Sequence, residues 1–427
     1  MRITLRFVLT LLCITAFPGV AADRSPLDLQ QATRINTLNG ELLQVSLGDG
    51  PLRNTMVSSV SMFYALGMLE AGAQGHSKTL LQDLLLQSPG DVQEAIVPLT
   101  PALAHEPANS DTAGRFVLSN SVWATNGATN HKPFVFASAF IDSVSSAFAA
   151  EARSIDFLAP GAAMPVNLWA EQKTHGLIDQ IIDDETLQEL TWLIINAAYF
   201  EGSWKTPMGR RPPSDDYRFS TEGSERLAID TVSSKQLLQV VDHEDGSVTL
   251  RIPFSGNRYH LVVQIPATDV SDVGDWLRQY AIPGQAEAVD ASFSQGSTFD
   301  VSLRMPVFSY GNRLTLNKDT PATKTLGLLP LFTDHAELHG LVDSERSHPA
   351  ALDTKVGLIQ QDTRIELDEN GVKAAAVTMI GGMIKATVAP YFPHRRIVID
   401  RPFAWSIVEG SSRSTLFSGV LANPASS

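Results

Sequence analysis

The sequence predicts an α+β fold in one large domain, with mixed β-sheets, surrounding helices and an exposed loop near the C-terminus. Three observations carry this. Residues 191–205 form a near-continuous apolar run, the pattern of a strand buried on both faces. Residues 400–407 and 416–424 are two more hydrophobic strands, joined by the turn Glu409, Gly410, Ser411, Ser412. Val60, Phe63, Tyr64, Gly67 and Met68 recur at helical spacing. No Pro/Gly/Ser linker, low-complexity tract or internal repeat divides the chain, so one unit is accepted although the length is large for a single domain.

The N-terminus carries Arg2 and Arg6, an apolar stretch over 7–17, then Pro18 and a small-residue run to Ala22. This reads as a secretory signal, residues 1–22, cleaved after Ala22. Its apolar stretch is too short to span a membrane. The mature domain is then 23–427. Cys13, the single cysteine, lies in the signal, and Leu12 before it argues against a lipoprotein. The mature chain therefore has no thiol, no disulfide and no cysteine-based nucleophile or metal site. It relies on a large core for stability. No Asn-x-Ser/Thr sequon occurs. Together these features favour a bacterial exported protein, secreted or periplasmic.

Further along, Ser58 or Ser59 is placed to cap the helix that follows. Another helix follows Gly75, over 76–83. Residues 167–175 read as a helix with Lys173 and His175 in the last turn and Gly176 as its stop. Asn196 is the one amide in the run 191–205. Buried, it must find partners or cost about 1–3 kcal/mol. Residues 364–368 read as a short strand.

The segment after residue 368 is unusual. Loops are normally short and polar, yet residues 369–385 are mostly small and apolar. As a strand, Val372, Ala374, Ala376, Thr378 and Ile380 would share one face and Lys373 would take the other. Two readings stand: a turn leading into a half-buried helix or edge strand, or a strand not yet inserted in a sheet.

The order of the C-terminal motifs favours the second. A Glu-Asn-Gly-x-x-Ala-Ala-Ala segment at 369–376, an Arg-Pro-Phe strand at 401–403 and a Leu-Phe-x-Gly-x-x-x-Asn-Pro strand at 416–424 resemble the serpin family of serine protease inhibitors. The resemblance covers nearly the whole mature chain, and by it alone residues 251–254 and 259–266 are expected to be strands. It implies a reactive-centre loop over about 369–395 and a hinge containing Glu369, Gly371, Val372, Ala374, Ala375, Ala376 and Thr378. It also implies a shutter and breach, the polar cluster and the upper gap where the main sheet opens, at Ser58, Ser61, Asn196, Trp204 and Gln361. Four positions depart from the family pattern. Ser59 replaces a usual Pro, Gln361 a usual His, Val372 a usual Thr and Lys373 a usual Glu.

The resemblance further implies a suicide substrate. A protease acylates itself on the loop, and the cut loop inserts as a new strand. The family's spacing of seventeen residues from Glu369 puts the reactive bond between Lys385 and Ala386, which suits a trypsin-like serine protease. Counting back from Pro402 gives Tyr391 as the alternative reactive site. A cysteine protease is a second class of target. The competing function is a non-inhibitory serpin that binds or stores. No enzyme activity and no cofactor are expected, and the protein is expected to be a monomer.

Other chemistries find little support. The net charge is −14 without a basic cluster, so neither nucleic acid nor heparin is an expected partner. Neither a Gly-x-Ser-x-Gly elbow nor a phosphate loop occurs. His335 and His339, with Glu337 between them, have helical spacing for a metal, but two surface histidines are the default reading. Asp183, Asp184 and Glu185 read as a solvated turn.

Overall fold

The computed structural model describes residues 29–86, 92–93, 114–223, 225–281, 285–372 and 391–426. In chain order its strands are β1 (Thr55–Val57), β2 (Arg115–Thr125), β3 (Glu151–Ile155), β4 (Trp192–Ser203), β5 (Gly209–Arg211), β6 (Phe219–Ser220), β7 (Arg226–Leu227), β8 (Thr231–Asp242) and β9 (Val248–Pro253). They continue as β10 (Tyr259–Ile265), β11 (Ser297–Pro306), β12 (Phe308–Leu316), β13 (Ile359–Leu367), β14 (Gly371–Val372), β15 (His394–Val398), β16 (Phe403–Glu409) and β17 (Thr415–Leu421). The longer helices are α1 (Leu29–Leu47), α2 (Ser59–Gly72), α3 (Gly75–Leu86), α4 (Ser138–Phe148) and α5 (Ala163–Lys173). Shorter ones include α6 (Asp184–Gln188), α7 (Val273–Tyr280) and α8 (Gln285–Ser292).

Two sheets organise the chain. The main sheet has the order β12-β13-β14-β4-β2-β3. The second runs β1-β17-β16-β10-β9-β8-β11-β15, with β5 beside β8. The principal core lies between them and includes α2. A smaller core, with Trp123, Val166, Trp169, Ile195 and Ala197, lies under α5 on the other face of the main sheet. Strand alternation assigns the two cores: in β4, Ile195 and Ala197 face α5, while Ala198 and Phe200 face the principal core.

Helix α2 is buried almost throughout, as expected for a helix that is apolar on all sides. Ser58 is its N-cap, with Oγ accepting from the Ser61 N–H at 3.3 Å.

Several boundaries differ from the sequence reading. α5 begins at Ala163, not at 167. Its Pro165 sits in the first turn, where a missing N–H costs nothing. The start is held from outside: the Asp184 carboxylate accepts from the Gly161 and Ala163 N–H groups, both at 2.8 Å. Asp183 caps α6 through the Thr186 N–H. The acidic triplet thus pins two helix starts instead of forming a merely solvated turn. α5 also ends earlier than read, at Lys173, so His175, at φ 51°, lies beyond its last turn; Gly176 is the stop as expected, at φ 78° with its N–H on the Glu171 carbonyl.

The strand over 191–205 is not buried on both faces along its length. Leu193, Ile194 and Asn196 are half-buried; among the described residues β4 gains a neighbour on its β13 side only near its C-terminal end. The expected strand 364–368 begins earlier, at Ile359, and the C-terminal pair lies at Phe403–Glu409 and Thr415–Leu421. β15 has no counterpart among the expected strands. It is an Arg-rich edge strand, parallel to β11, with the register Asp300↔His394 to Arg304↔Val398. The expected leader, 1–22, lies outside the described residues.

Tyr310 of β12 joins the two sheets. Its fully buried hydroxyl lies 3.1 Å from the Thr55 carbonyl and 3.2 Å from the Val420 carbonyl, and accepts from the Trp405 indole at 2.9 Å. Tyr310→Phe leaves that indole N–H without its acceptor. We expect a loss of about 1–3 kcal/mol, seen as a lower urea midpoint with an unchanged slope. An unchanged midpoint would mean that the node contributes nothing.

Candidate functional site

The main sheet has a slot. β4 and β13 lie side by side, but among the described residues no ladder joins them directly. They share β14 instead: Gly371 pairs with Ser203, and Val372 with Gly202 on one side and Leu367 on the other. Below β14 the slot is flanked by two cavities of about 40 Å³ each. One opens towards α2 and is lined by Ser61, Leu66, Ile194, Asn196 and Gln361. The other opens towards α5, between Ala170, Ile182, Ile195 and Asp362. Burial pushes the Asp362 carboxyl up, against hydrogen bonds from Arg313 and Gln360 that stabilise its charge.

On the α2 side the polar residues meet in two groups. Gln361, buried at 4 % exposure, grips the Ser58 backbone from both sides. Its Nε2 donates to the Ser58 carbonyl at 2.7 Å, and its Oε1 accepts from the Ser58 N–H at 3.0 Å. Ser58 Oγ donates to the Leu416 carbonyl at 2.8 Å and Ser59 Oγ to the Thr415 carbonyl at 3.0 Å. The α2 start is thereby tied to β13 and β17 together. Asn196 lies on the opposite wall and belongs to another chain of bonds. Its Nδ2 donates to Asn120 Oδ1 at 2.5 Å, and Asn120 Nδ2 donates to the Phe148 carbonyl at 2.6 Å. The Asn196 Oδ1 is buried without a partner. Asn120 is not among the residues that the sequence singles out. A signal exists in the fold: it is directly opposite Asn196 in the β2–β4 register.

The upper end of the slot is built around Trp204 and Gly371. The Trp204 indole donates to the Asp368 carbonyl at 2.9 Å, and its backbone N–H to the Asn370 carbonyl at 3.0 Å. The ring stacks on Phe254 at 4.8 Å between centroids. Asp368 closes the turn by accepting from the Asn370 N–H at 2.7 Å. Glu369 pairs with Arg210 at 3.2 Å, which also holds Asp230. Gly371 has φ 146°, and a Cβ there would stand 1.9 Å from the Gly202 carbonyl oxygen. Only glycine fits this approach. Val372 turns into the principal core and is 3 % exposed.

Ala374, Ala375, Ala376, Thr378, Lys385 and Ala386 lie outside the described residues. Tyr391, where description resumes, is 90 % exposed. The chain is then secured by β15. Arg395 holds Asp242 with both terminal nitrogens, at 2.7 and 2.5 Å, and its guanidinium lies 5.4 Å from the Phe299 ring centre. This bidentate contact keeps the Asp242 carboxyl below its usual range. His335 and His339 are both exposed and do not share a helix.

The family model described as Serpin (serine protease inhibitor) matches residues 34–424. The chain belongs to the serpin family. Serpins are generally protease inhibitors and not enzymes, although some are non-inhibitory. This serpin is 25% identical over 376 residues to Serpin-Z2A of Triticum aestivum, covering 87% of this chain and 90% of the relative. It is also 25% identical to Iripin-3 of Ixodes ricinus, over 95% and 98% of the two chains. Its fold matches the native state of the thermophilic serpin tengpin with a TM-score of 0.75, at 21% identity, over 93% of this chain and 95% of that one.

Gln361→Leu removes both bonds to Ser58 and leaves the buried Ser58 N–H unpaired, while the Ser58 carbonyl keeps the Met62 N–H at 3.1 Å. We expect a loss of about 1–3 kcal/mol for the orphaned N–H, read as a lower melting temperature in scanning calorimetry. An unchanged melt would show that the α2 start is held without Gln361.

Proposed function

We propose that this serpin is a suicide-substrate inhibitor of a trypsin-like serine protease, and that residues 372–385 insert as a strand between β4 and β13. The observation that carries this reading is β14. The first two residues of the proposed hinge pairing already occupy the top of the slot, with Val372 inward, as the alternation of the following residues requires. The roles assigned to Ser58, Ser61, Asn196, Trp204 and Gln361 follow from it. They hold the slot in a form that a further strand can open.

The chemistry is the protease's own. Its serine oxygen adds to the Lys385 carbonyl, the bond to the Ala386 nitrogen breaks, and that amine leaves with a proton, so Lys385 becomes an ester on the protease. Insertion of residues 372–385 would then carry the attached protease about 46 Å, at roughly 3.3 Å per residue. The step is driven by the hydrogen bonds and apolar packing of the added strand, so the uncut protein is kinetically trapped. We place it outside the cytoplasm, exported by residues 1–22, and acting as a monomer.

Incubation with trypsin should yield a complex that survives SDS, and a C-terminal peptide that begins at Ala386 by mass spectrometry. A cut after Tyr391 would move the reactive bond. Cleavage without a complex, with cut and intact protein melting together, would identify a non-inhibitory binding or storage serpin.

Ala374→Arg should turn the inhibitor into a substrate. Insertion would bury an unpaired guanidinium, at a cost of several kcal/mol, and deacylation would free the protease first. Lys373→Arg, on the other face, should inhibit with unchanged stoichiometry. Equal inhibition by both variants in a titration against trypsin would refute insertion with this facing.

A further inference from the structure

The chain contains three Asn-Gly pairs, Asn39–Gly40, Asn126–Gly127 and Asn370–Gly371. Such pairs are chemical weak points. The glycine nitrogen can attack the Asn side-chain carbonyl, because no Cβ obstructs the ring that forms. We propose that Asn370–Gly371, at the hinge, is a self-modifying site in which the Asp368 carboxylate promotes loss of the Asn370 amide.

One carboxylate touches both nitrogens of the reaction. Asp368 Oδ1 accepts from the Gly371 N–H, the attacking group, at 3.3 Å. Asp368 Oδ2 accepts from Asn370 Nδ2, the leaving group, also at 3.3 Å. Asp368 is itself fixed by the Trp204 indole on its carbonyl and by the Asn370 N–H on Oδ1. Asp368 and Asn370 are only half-buried, so water reaches them. β14 is two residues long, so the turn can open locally at small cost. The other two pairs lack this arrangement. Asn39 is buried in α1, with its Oδ1 taken by the Ser418 hydroxyl. The Gly127 N–H lies on the Thr125 hydroxyl and Asn126 Oδ1 on the Ala128 N–H, with no carboxylate bonded to either.

Water is the sole co-reactant. Asp368 takes the Gly371 amide proton, the Gly371 nitrogen bonds to Asn370 Cγ, and the Cγ–Nδ2 bond breaks. The Nδ2 amide leaves as ammonia with the proton that Asp368 held. Water then opens the cyclic imide at one of its two carbonyls. One product has Asp at position 370. The other is the isoaspartyl form, whose main chain runs through the former side chain and is longer by a methylene. Both add a carboxylate beside Asp368 and Glu369, where Arg210 already serves Glu369 and Asp230. The isoaspartyl form also shifts Gly371 from its close approach to the Gly202 carbonyl, so β14 loses its register. The modified protein then becomes a substrate of the protease it had inhibited. That consequence rests on insertion of residues 372–385; the modification itself does not.

The test ages the full chain in warm neutral buffer and follows each Asn-Gly pair by peptide mass spectrometry, with isoaspartyl methyltransferase labelling to identify the isoaspartyl form. Asn126 in the same digest is the internal clock. Asn370 should convert faster than Asn126. Asp368→Asn should slow conversion at 370 at least about tenfold, short of the roughly hundredfold that a fully positioned acid–base group supplies, and leave Asn126 unchanged. A second measurement needs no variant: raising the pH should speed Asn126, which depends on hydroxide, more than Asn370, whose base is bound. Melting curves show whether Asp368→Asn is folded. Asn370→Ser, which has no side-chain carbonyl to attack, should keep a constant stoichiometry against trypsin during ageing, while that of the parent rises. An amide that persists at 370 while Asn126 converts, equal acceleration of both sites by pH, or an unchanged rate at 370 in folded Asp368→Asn would each overturn the inference. A parent that never inhibits trypsin would refute the inhibitory reading instead, and the peptide map would still decide the site.

Discussion

Two strand edges face one another across the main sheet, and among the described residues two join them. β4 and β13 each carry backbone N–H and carbonyl groups that need partners. Among the described residues, Gly371 and Val372 supply these, at the upper end. The consequences run through the molecule. The half-burial of Leu193, Ile194 and Asn196, the two cavities beside the slot and the inward turn of Val372 all follow from that one partial closure. The approach of Gly371 to the Gly202 carbonyl also fixes the register. A slip of one residue would place a side chain where none fits and would turn every following side chain to the wrong face.

The contacts that tie α2 to β13 beside the slot are neutral. Gln361 binds both backbone groups of Ser58 with an amide that does not titrate, so this grip is constant over the range in which a histidine would change its charge. The opposite wall is less complete. Asn196 and Asn120 form a short chain that ends on the Phe148 carbonyl but leaves one acceptor unpaired. A network satisfied on one side and short of a partner on the other is firm where α2 meets β13 and weaker where β4 meets the opening.

How much of this can be read from the residues depends on where each interaction's partners lie. β4, α2 and the C-terminal pair are legible because their apolar patterns are long and local. Residues 369–385 stand out in the sequence because so many small apolar side chains are foreign to a loop. The start of α5 is not legible, since the Asp184 carboxylate that sets it comes from another helix. β15 is hidden by His394, Arg395 and Arg396, which suit an exposed edge but imitate a polar loop. Gln361 is placed correctly beside Ser58, yet its two-sided grip on the backbone does not follow from residue type. Asn120 and Tyr310 give no local sign because each matters through a partner far along the chain.

That distance bears on how the protein comes into being. β17 is buried at every position and lies between β1 and β16. It also supplies partners to the first helix: Asn36 accepts from the Thr415 N–H, and Asn39 from the Ser418 hydroxyl, each across 379 residues. A ribosome makes α1 and β1 long before β17 exists. Until it does, two buried amides and a strand edge have nothing to bind, and the nascent chain cannot close its core by folding its N-terminal portion first. Folding must wait for the C-terminal strands. A chain obliged to wait in this way stays unfolded long enough to be threaded through a membrane, and a nonsense mutation anywhere before residue 415 would leave an open, aggregation-prone sheet instead of a shortened protein.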